Sequence, residues 1–243
     1  MFQEHPIVWD DAKVARLWNW YSRTSPFRDL YFAKRFGDLI LRASKVPLSQ
    51  PLAVLDFGCG PGFLWDHVQA LGARWTYYGA DFAPESTAQL AARASGQTGF
   101  GGVEHLTGLP MRCEDGRYDA SFLVEVVEHV GDNYLEPILT EMARVLKPGG
   151  QLVISTPNRE DLAQSMRLCP ECGAVFHEWQ HVRTWHADSL TDYVTRFGFR
   201  PRTVEPIDFF ARGLHRAALN GLRRMVHGTH KPHLLGVFER TPS

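Results

Sequence analysis

The stretch VLDFGCGPGFLWDHV, residues 54–68, is where the fold is decided. An apolar run ends in an acid, Asp56. Gly58, Gly60 and Gly62 then alternate with Cys59 and Pro61, and an apolar segment at helical spacing follows. Glycines remove Cβ atoms, so backbone can touch a ligand, and they allow positive φ. The start of the following helix offers unpaired N–H groups. A strand that feeds such a turn and then a helix is a ligand cradle. The spacing, D-x-G-x-G-x-G, is not the G-x-G-x-x-G of the dinucleotide fingerprint.

Outward from this cradle, strands and helices alternate. TYYGAD (76–81) reads as a second strand ending in an acid, and 84–94 as a helix with Pro84 near its start. A weaker strand falls near 103–106, a stronger one at 118–126, and a helix at 133–146 that Lys147-Pro148-Gly149-Gly150 stops. Strands at 151–157 and 234–240 and a helix at 187–197 complete the pattern. This alternation implies βαβ units and a parallel sheet, with ligands beyond the carboxyl ends of the strands. Ahead of it, residues 1–45 read as a helical extension interrupted at Ser25-Pro26. The remainder, 46–243, reads as the main domain. It carries two insertions, an irregular one at 158–182 and a basic helical one at 206–232 with Arg212, Arg216, Arg223, Arg224 and Lys231.

The two acids suggest the ligand. Asp56 would repel a pyrophosphate but would accept hydrogen bonds from a cationic amino group. Asp81 is placed to take both hydroxyls of a ribose. A nucleoside joined to an amino acid, without phosphate, fits both, and S-adenosylmethionine is such a molecule. At this point the chain resembles the class I S-adenosylmethionine-dependent methyltransferases. VLDFGCGPG (54–62) and GADFAP (79–84) are similar to their first and second motifs. GLPMRCEDGRYDASFLVEVVEHV (108–130) and RVLKPGGQLVISTPN (144–158) are similar to the passages that follow, in the same order. The resemblance implies an α/β, Rossmann-like, doubly wound and mostly parallel seven-stranded sheet. It implies cofactor contacts from Asp56, Gly58, Cys59, Gly60, Gly62, Asp81, Phe82, Leu109 and Glu125. His105 stands where the family commonly has an acid near the adenine.

Composition narrows the function. With 26 basic and 27 acidic residues in 243, no global field favours nucleic acid or an anionic membrane. The N-terminus, MFQEHPIVWDD, is not a secretory signal, and no apolar stretch reaches the length of a spanning helix, so a cytoplasmic protein is expected. Nothing in the sequence sets an oligomeric state.

The acceptor is less legible. The E-x-x-E-H passage Glu125–His129 resembles ubiquinone-pathway-like O-methyltransferases. It also resembles small-RNA 2′-O-methyltransferases, which would use Glu125, Glu128, His129 and His181 to hold a divalent metal. The expected activity is direct, in-line transfer to an oxygen of a small metabolite or glycan precursor. Arg212, Arg216, Arg223 and Arg224 would draw an anionic acceptor. His129 and His181 are the candidate bases, because imidazole titrates near working pH. Trp18, Trp20, Tyr21, Tyr31 and Phe32 are candidates for the opposite wall. Metal-dependent RNA 2′-O-methylation, and a non-catalytic zinc-stabilised cofactor-binding protein, are the alternatives. Finally, CPECGAVFHEWQH (169–181) has the pattern C-x2-C-x4-H-x3-H. Cys169, Cys172, His177 and His181 are therefore expected as a structural zinc site, with His181 claimed by both sites.

Overall fold

The structure, a computed structural model, describes residues 2–210 and 231–242. The helical reading of 206–232 therefore lies mostly outside the described residues, Arg212, Arg216, Arg223 and Arg224 included. Its first two residues are strand instead.

A seven-stranded sheet forms the centre. Its strands are β2 (Ala53–Phe57), β3 (Thr76–Asp81), β4 (Phe100–His105), β5 (Tyr118–Val124), β6 (Leu146–Pro157), β9 (Phe199–Ile207) and β10 (His233–Arg240). Their order is β4-β3-β2-β5-β6-β10-β9, all parallel except β10, which runs antiparallel to both its neighbours. This is the Rossmann-like α/β architecture that the alternation implied. The sequence reading missed β9, whose alternating charges (Arg200, Arg202, Glu205) hide it. β9 is an edge strand with a solvated face, and Arg200 and Arg202 pair with Glu239 on β10.

The strands on either side of β2 decide where a ligand sits. The chain moves from β2 outward through β3 to β4, then returns to β5 on the other side. The crevice therefore opens at the carboxyl ends of β2 and β5. Helices α4 (Phe63–Ala70), α5 (Pro84–Ala94), α6 (Asp132–Val145) and α7 (Ala187–Thr195) cover the sheet.

The N-terminal helices are α1 (Asp11–Arg23), α2 (Phe27–Leu30) and α3 (Phe32–Ser44). Asp10 caps α1, its Oδ1 accepting from the Lys13 N–H at 2.8 Å. Ile40 and Leu41 of α3 are fully buried in one cluster with Val54, Trp65 and Phe122 of the central domain. The segment 158–182, read as irregular, contains a short ladder. Strands β7 (Met166–Leu168) and β8 (Ala174–His177) pair antiparallel, and β1 (His5–Pro6) adds to β8 in parallel. The segment ahead of α1 is thus paired to this insertion. Among the described residues no helix is long and apolar enough to cross a membrane.

Candidate functional site

The Gly-rich turn is built by close approach. The N–H groups of Gly58 and Cys59 both donate to the Ala80 carbonyl, at 2.8 and 3.1 Å, tying the turn to the end of β3. Gly58 and Gly62 have φ of +76° and +82°. A Cβ would stand 2.7 Å from Val126 Cγ2 at Gly58 and 2.3 Å from Leu90 Cδ1 at Gly62. Side chains are excluded at both positions by conformation and by space. At Gly60 the nearest atom to such a Cβ is a Tyr31 ring carbon at 3.4 Å.

Asp81 sits at the tip of β3. Its Oδ2 accepts from the Gly60 N–H at 2.8 Å and its Oδ1 from the Ala83 N–H at 2.7 Å. Each oxygen keeps lone-pair capacity for a hydroxyl. Asp56 is buried, and its Oδ2 accepts from the Tyr77 hydroxyl at 2.6 Å. Burial pushes the Asp56 carboxyl up to about 7 and raises that of Asp81 as well. One buried acid, Asp56, and one partly exposed acid, Asp81, beside a bare backbone turn suit a ligand with an ammonium group and two ribose hydroxyls. The residues present therefore fit S-adenosylmethionine.

Both acids open on a cavity of about 1020 Å³. One wall is the cradle, namely Asp56–Gly60, Asp81–Ala83, and His105 to Gly108 in place of the family's usual acid. The other wall is aromatic, with Trp9, Trp18, Tyr31, Phe32 and Tyr134. Its described lining contains acids and histidines but no lysine or arginine.

A polar corner lies where the walls meet. Glu125 ends β5 with φ of +51°, a strained value for a non-glycine residue, and its Oε1 accepts from the Ser155 hydroxyl at 2.8 Å. Glu128 is 1% exposed. Its Oε2 accepts from the Thr156 hydroxyl at 3.0 Å, while its Oε1 has no hydrogen-bond partner. Burial raises both carboxyls, and Glu125 adds its charge to the effect on Glu128. His129 Nε2 is 3.7 Å from Glu128 Oε1. Burial, then the neighbouring His181, holds His129 well below the usual imidazole range. The His129 and His181 rings lie 4.8 Å apart, and His177 stacks on His181 at 4.5 Å. A chain of hydrogen bonds ties this corner to α1. Trp18 Nε1 donates to Gln180 Oε1 at 2.6 Å, and Gln180 Nε2 donates to the His129 carbonyl at 3.0 Å.

Of the expected cofactor residues, Asp56, Gly58, Cys59, Gly60, Asp81, Phe82 and Glu125 line the cavity. Gly62 and Leu109 do not. Gly62 caps α4 against Leu90, and Leu109 packs on the main core while Leu106, Thr107 and Gly108 face the cavity. Of the aromatic wall, Trp18, Tyr31 and Phe32 face the cavity. Tyr21 is buried away from it, its hydroxyl on the Glu178 carbonyl, and Trp20 is largely exposed.

The four expected zinc ligands are not gathered. Cys169 and Cys172 lie in the tight turn between β7 and β8, where the Gly173 N–H donates to the Cys169 carbonyl at 2.9 Å. His177 instead turns inward. Its Nδ1 accepts the N–H groups of Trp179 and His181, at 3.3 and 3.2 Å. Among the described residues the three-donor groups within 4.8 Å are Glu128, His129, His181 and Glu160, His177, His181; neither includes a cysteine. Ligand spacing along the chain was met, but β8 separates the turn from the histidines. Glu160 and Gln180 were missed altogether, because neither belongs to a motif.

Comparison with known proteins agrees with this geometry. The methyltransferase-domain family matches residues 28–204. The ubiquinone biosynthesis O-methyltransferase of Cereibacter sphaeroides is 31% identical over 209 residues, covering 79% of this chain and 80% of that one. That of Escherichia coli O157:H7 is 33% identical over 138 residues, covering 56% and 52%. A putative methyltransferase of Haloferax volcanii, solved with the Trm112 activator, superposes with a TM-score of 0.66 at 18% identity, over 93% of this chain and 98% of that one. The 1,6-didemethyltoxoflavin-N1-methyltransferase of Burkholderia thailandensis, solved with S-adenosylhomocysteine, gives 0.62 at 18% identity, over 99% and 94%. The fold and cradle define a class I S-adenosylmethionine-dependent enzyme. The chain belongs to the methyltransferase-domain family.

Proposed function

We propose that the protein methylates a hydroxyl oxygen of an uncharged, largely apolar small molecule. The observation that carries this is the cavity itself. At about 1020 Å³ it exceeds the needs of one ligand, and its second half is aromatic and holds His129, His181 and His233. The relatives named for ubiquinone biosynthesis support an oxygen acceptor and an apolar metabolite over a glycan precursor. An anionic acceptor finds no lysine or arginine in the described lining.

When bound, S-adenosylmethionine supplies an electrophilic methyl on sulfur. The chain supplies position and a proton acceptor. Asp81 would hold the ribose, Phe82 the adenine, and Asp56 with the Gly58–Gly60 backbone the amino-acid end. Trp18, Tyr31 and Phe32 would hold the acceptor and exclude water, fixing an in-line approach. His181 would take the hydroxyl proton as the new O–CH3 bond forms, and S-adenosylhomocysteine leaves. Labelled cofactor with a panel of neutral and carboxylated phenols tests this. Transfer to carboxylated members alone would sink it.

A second reading, metal-assisted transfer, draws on the unpartnered Glu128 Oε1 and His129 Nδ1 beside His181. Turnover that a chelator abolishes and one divalent cation restores would favour it.

A further inference from the structure

His129 and His181 line the cavity, and His177 and Glu160 lie behind them. His177 is 3% exposed, and two backbone N–H groups, of Trp179 and His181, point at its Nδ1. An N–H cannot donate to a protonated nitrogen, so Nδ1 carries the lone pair and the ring proton is on Nε2. That Nε2 has no hydrogen-bond partner, and its nearest carboxylate oxygen is Glu160 Oε1 at 3.6 Å. The other oxygen, Glu160 Oε2, lies 2.5 Å from His181 Nδ1. A carboxylate only accepts, so the proton in this contact belongs to His181 Nδ1. A neutral His181 then has its lone pair on Nε2. Its ring lines the cavity and is 9% exposed, whereas Glu160 does not line it.

We propose that Glu160, backed by His177, is a positioning residue that locks His181 in its Nδ1–H form and keeps the Nε2 lone pair available at the cavity wall. The same contacts set the ring proton of buried His177 on Nε2. A metal on its Nε2 would require the proton to move to Nδ1, against two N–H donors. The groups that face His181 are Glu160 and His177 from one side and His129 and Glu128 from the other. Arg167, which acts on His177, is paired with Glu178. Of these neighbours, Glu160 alone is in hydrogen-bond contact with the ring. The lock rests on the proposed role of His181 as base, and gives that role its orientation.

The lock is read directly by 15N NMR of histidine-labelled full-length protein, with His181 assigned by its loss in His181→Asn. In the wild type, His181 should show a protonated Nδ1 and an unprotonated Nε2, and His177 the reverse. Glu160→Ala should shift the His181 tautomer ratio by roughly tenfold or more, the worth of one hydrogen bond to a charged group. Glu160→Gln, whose amide oxygen still accepts, should recover part of the shift. A protonated Nε2 on wild-type His181, or a ratio unchanged in Glu160→Ala, overturns the proposal. Calorimetry with S-adenosylhomocysteine on the same samples keeps the readings apart. A wild type that does not bind it breaks the methyltransferase assignment while leaving the tautomer result standing.

Discussion

The two halves of the cavity are made differently. The half proposed for the cofactor is local: Asp56 to Gly62 is one turn, and Asp81 ties to it from the next strand through the Gly60 N–H, its other oxygen held by the Ala83 N–H. The half proposed for the acceptor is assembled from distant parts. Trp18 on α1 meets Gln180, 162 positions later, and Gln180 holds the carbonyl of His129. In the first half a single residue type at one position is irreplaceable. In the second, contacts are distributed and each is individually modest.

The sharpest test of that contrast is Asp81→Ala. Two charge-assisted hydrogen bonds to hydroxyls, each on the order of 1.5–3 kcal/mol, disappear. The affinity for S-adenosylhomocysteine, read by calorimetry, should fall by about 100-fold or more. A fall under fivefold would show that the cradle does not act as a unit.

Next comes Gly62→Ala. Positive φ and a 2.3 Å approach to Leu90 should together cost about 2–4 kcal/mol in chemical denaturation. An unchanged midpoint would mean that α4 shifts freely. In the distributed half, Trp18→Ala should cost about 2–3 kcal/mol at most and leave cofactor affinity within twofold. If it abolishes cofactor binding, the two halves are not separable.

Asp56 ties the cradle to pH. Its folded value is raised to about 7 by burial, above the ordinary 3.8. Between about pH 4 and 7 the native state therefore holds more protons than the unfolded chain. Stability contributed by the protonated form is lost as pH rises through that window. Asp56→Asn should flatten the pH dependence of the melting temperature there. It should also weaken cofactor binding most above pH 7, where the wild-type carboxylate is charged. The smallest effect belongs to the expected zinc ligands. Cys169→Ser with Cys172→Ser should change stability by less than about 0.5 kcal/mol, as for a surface turn. A larger loss that zinc reverses would restore the cysteine turn as a metal site.

Much of the cradle was legible because its signals are short-range. A left-handed turn needs glycine, and an acid at a strand end is visible beside it. The parallel sheet was legible for a similar reason, since β2, β5 and the end of β6 from Leu152 are largely buried runs with few charges. Strand β9 was not, because an edge strand with one wet face reads as a charged loop. The zinc expectation finds no support for a related reason: C-x2-C-x4-H-x3-H states spacing along the chain, and the two three-donor groups among the described residues hold the histidines without a cysteine. Leu109 shows it in miniature, one residue beyond the Thr107–Gly108 segment that faces the cavity.

The sequence by itself determined the fold class, the cradle and the cofactor type, because these depend on backbone conformation and strand periodicity over a few consecutive residues. Only the tertiary structure decided the acceptor chamber. Glu160, His177 and His181 gain their roles from which ring nitrogen meets which oxygen. The C-x2-C-x4-H-x3-H pattern named His177 and His181, but nothing in the order of the chain announced Glu160 or which nitrogen meets it, because that is set by packing between segments.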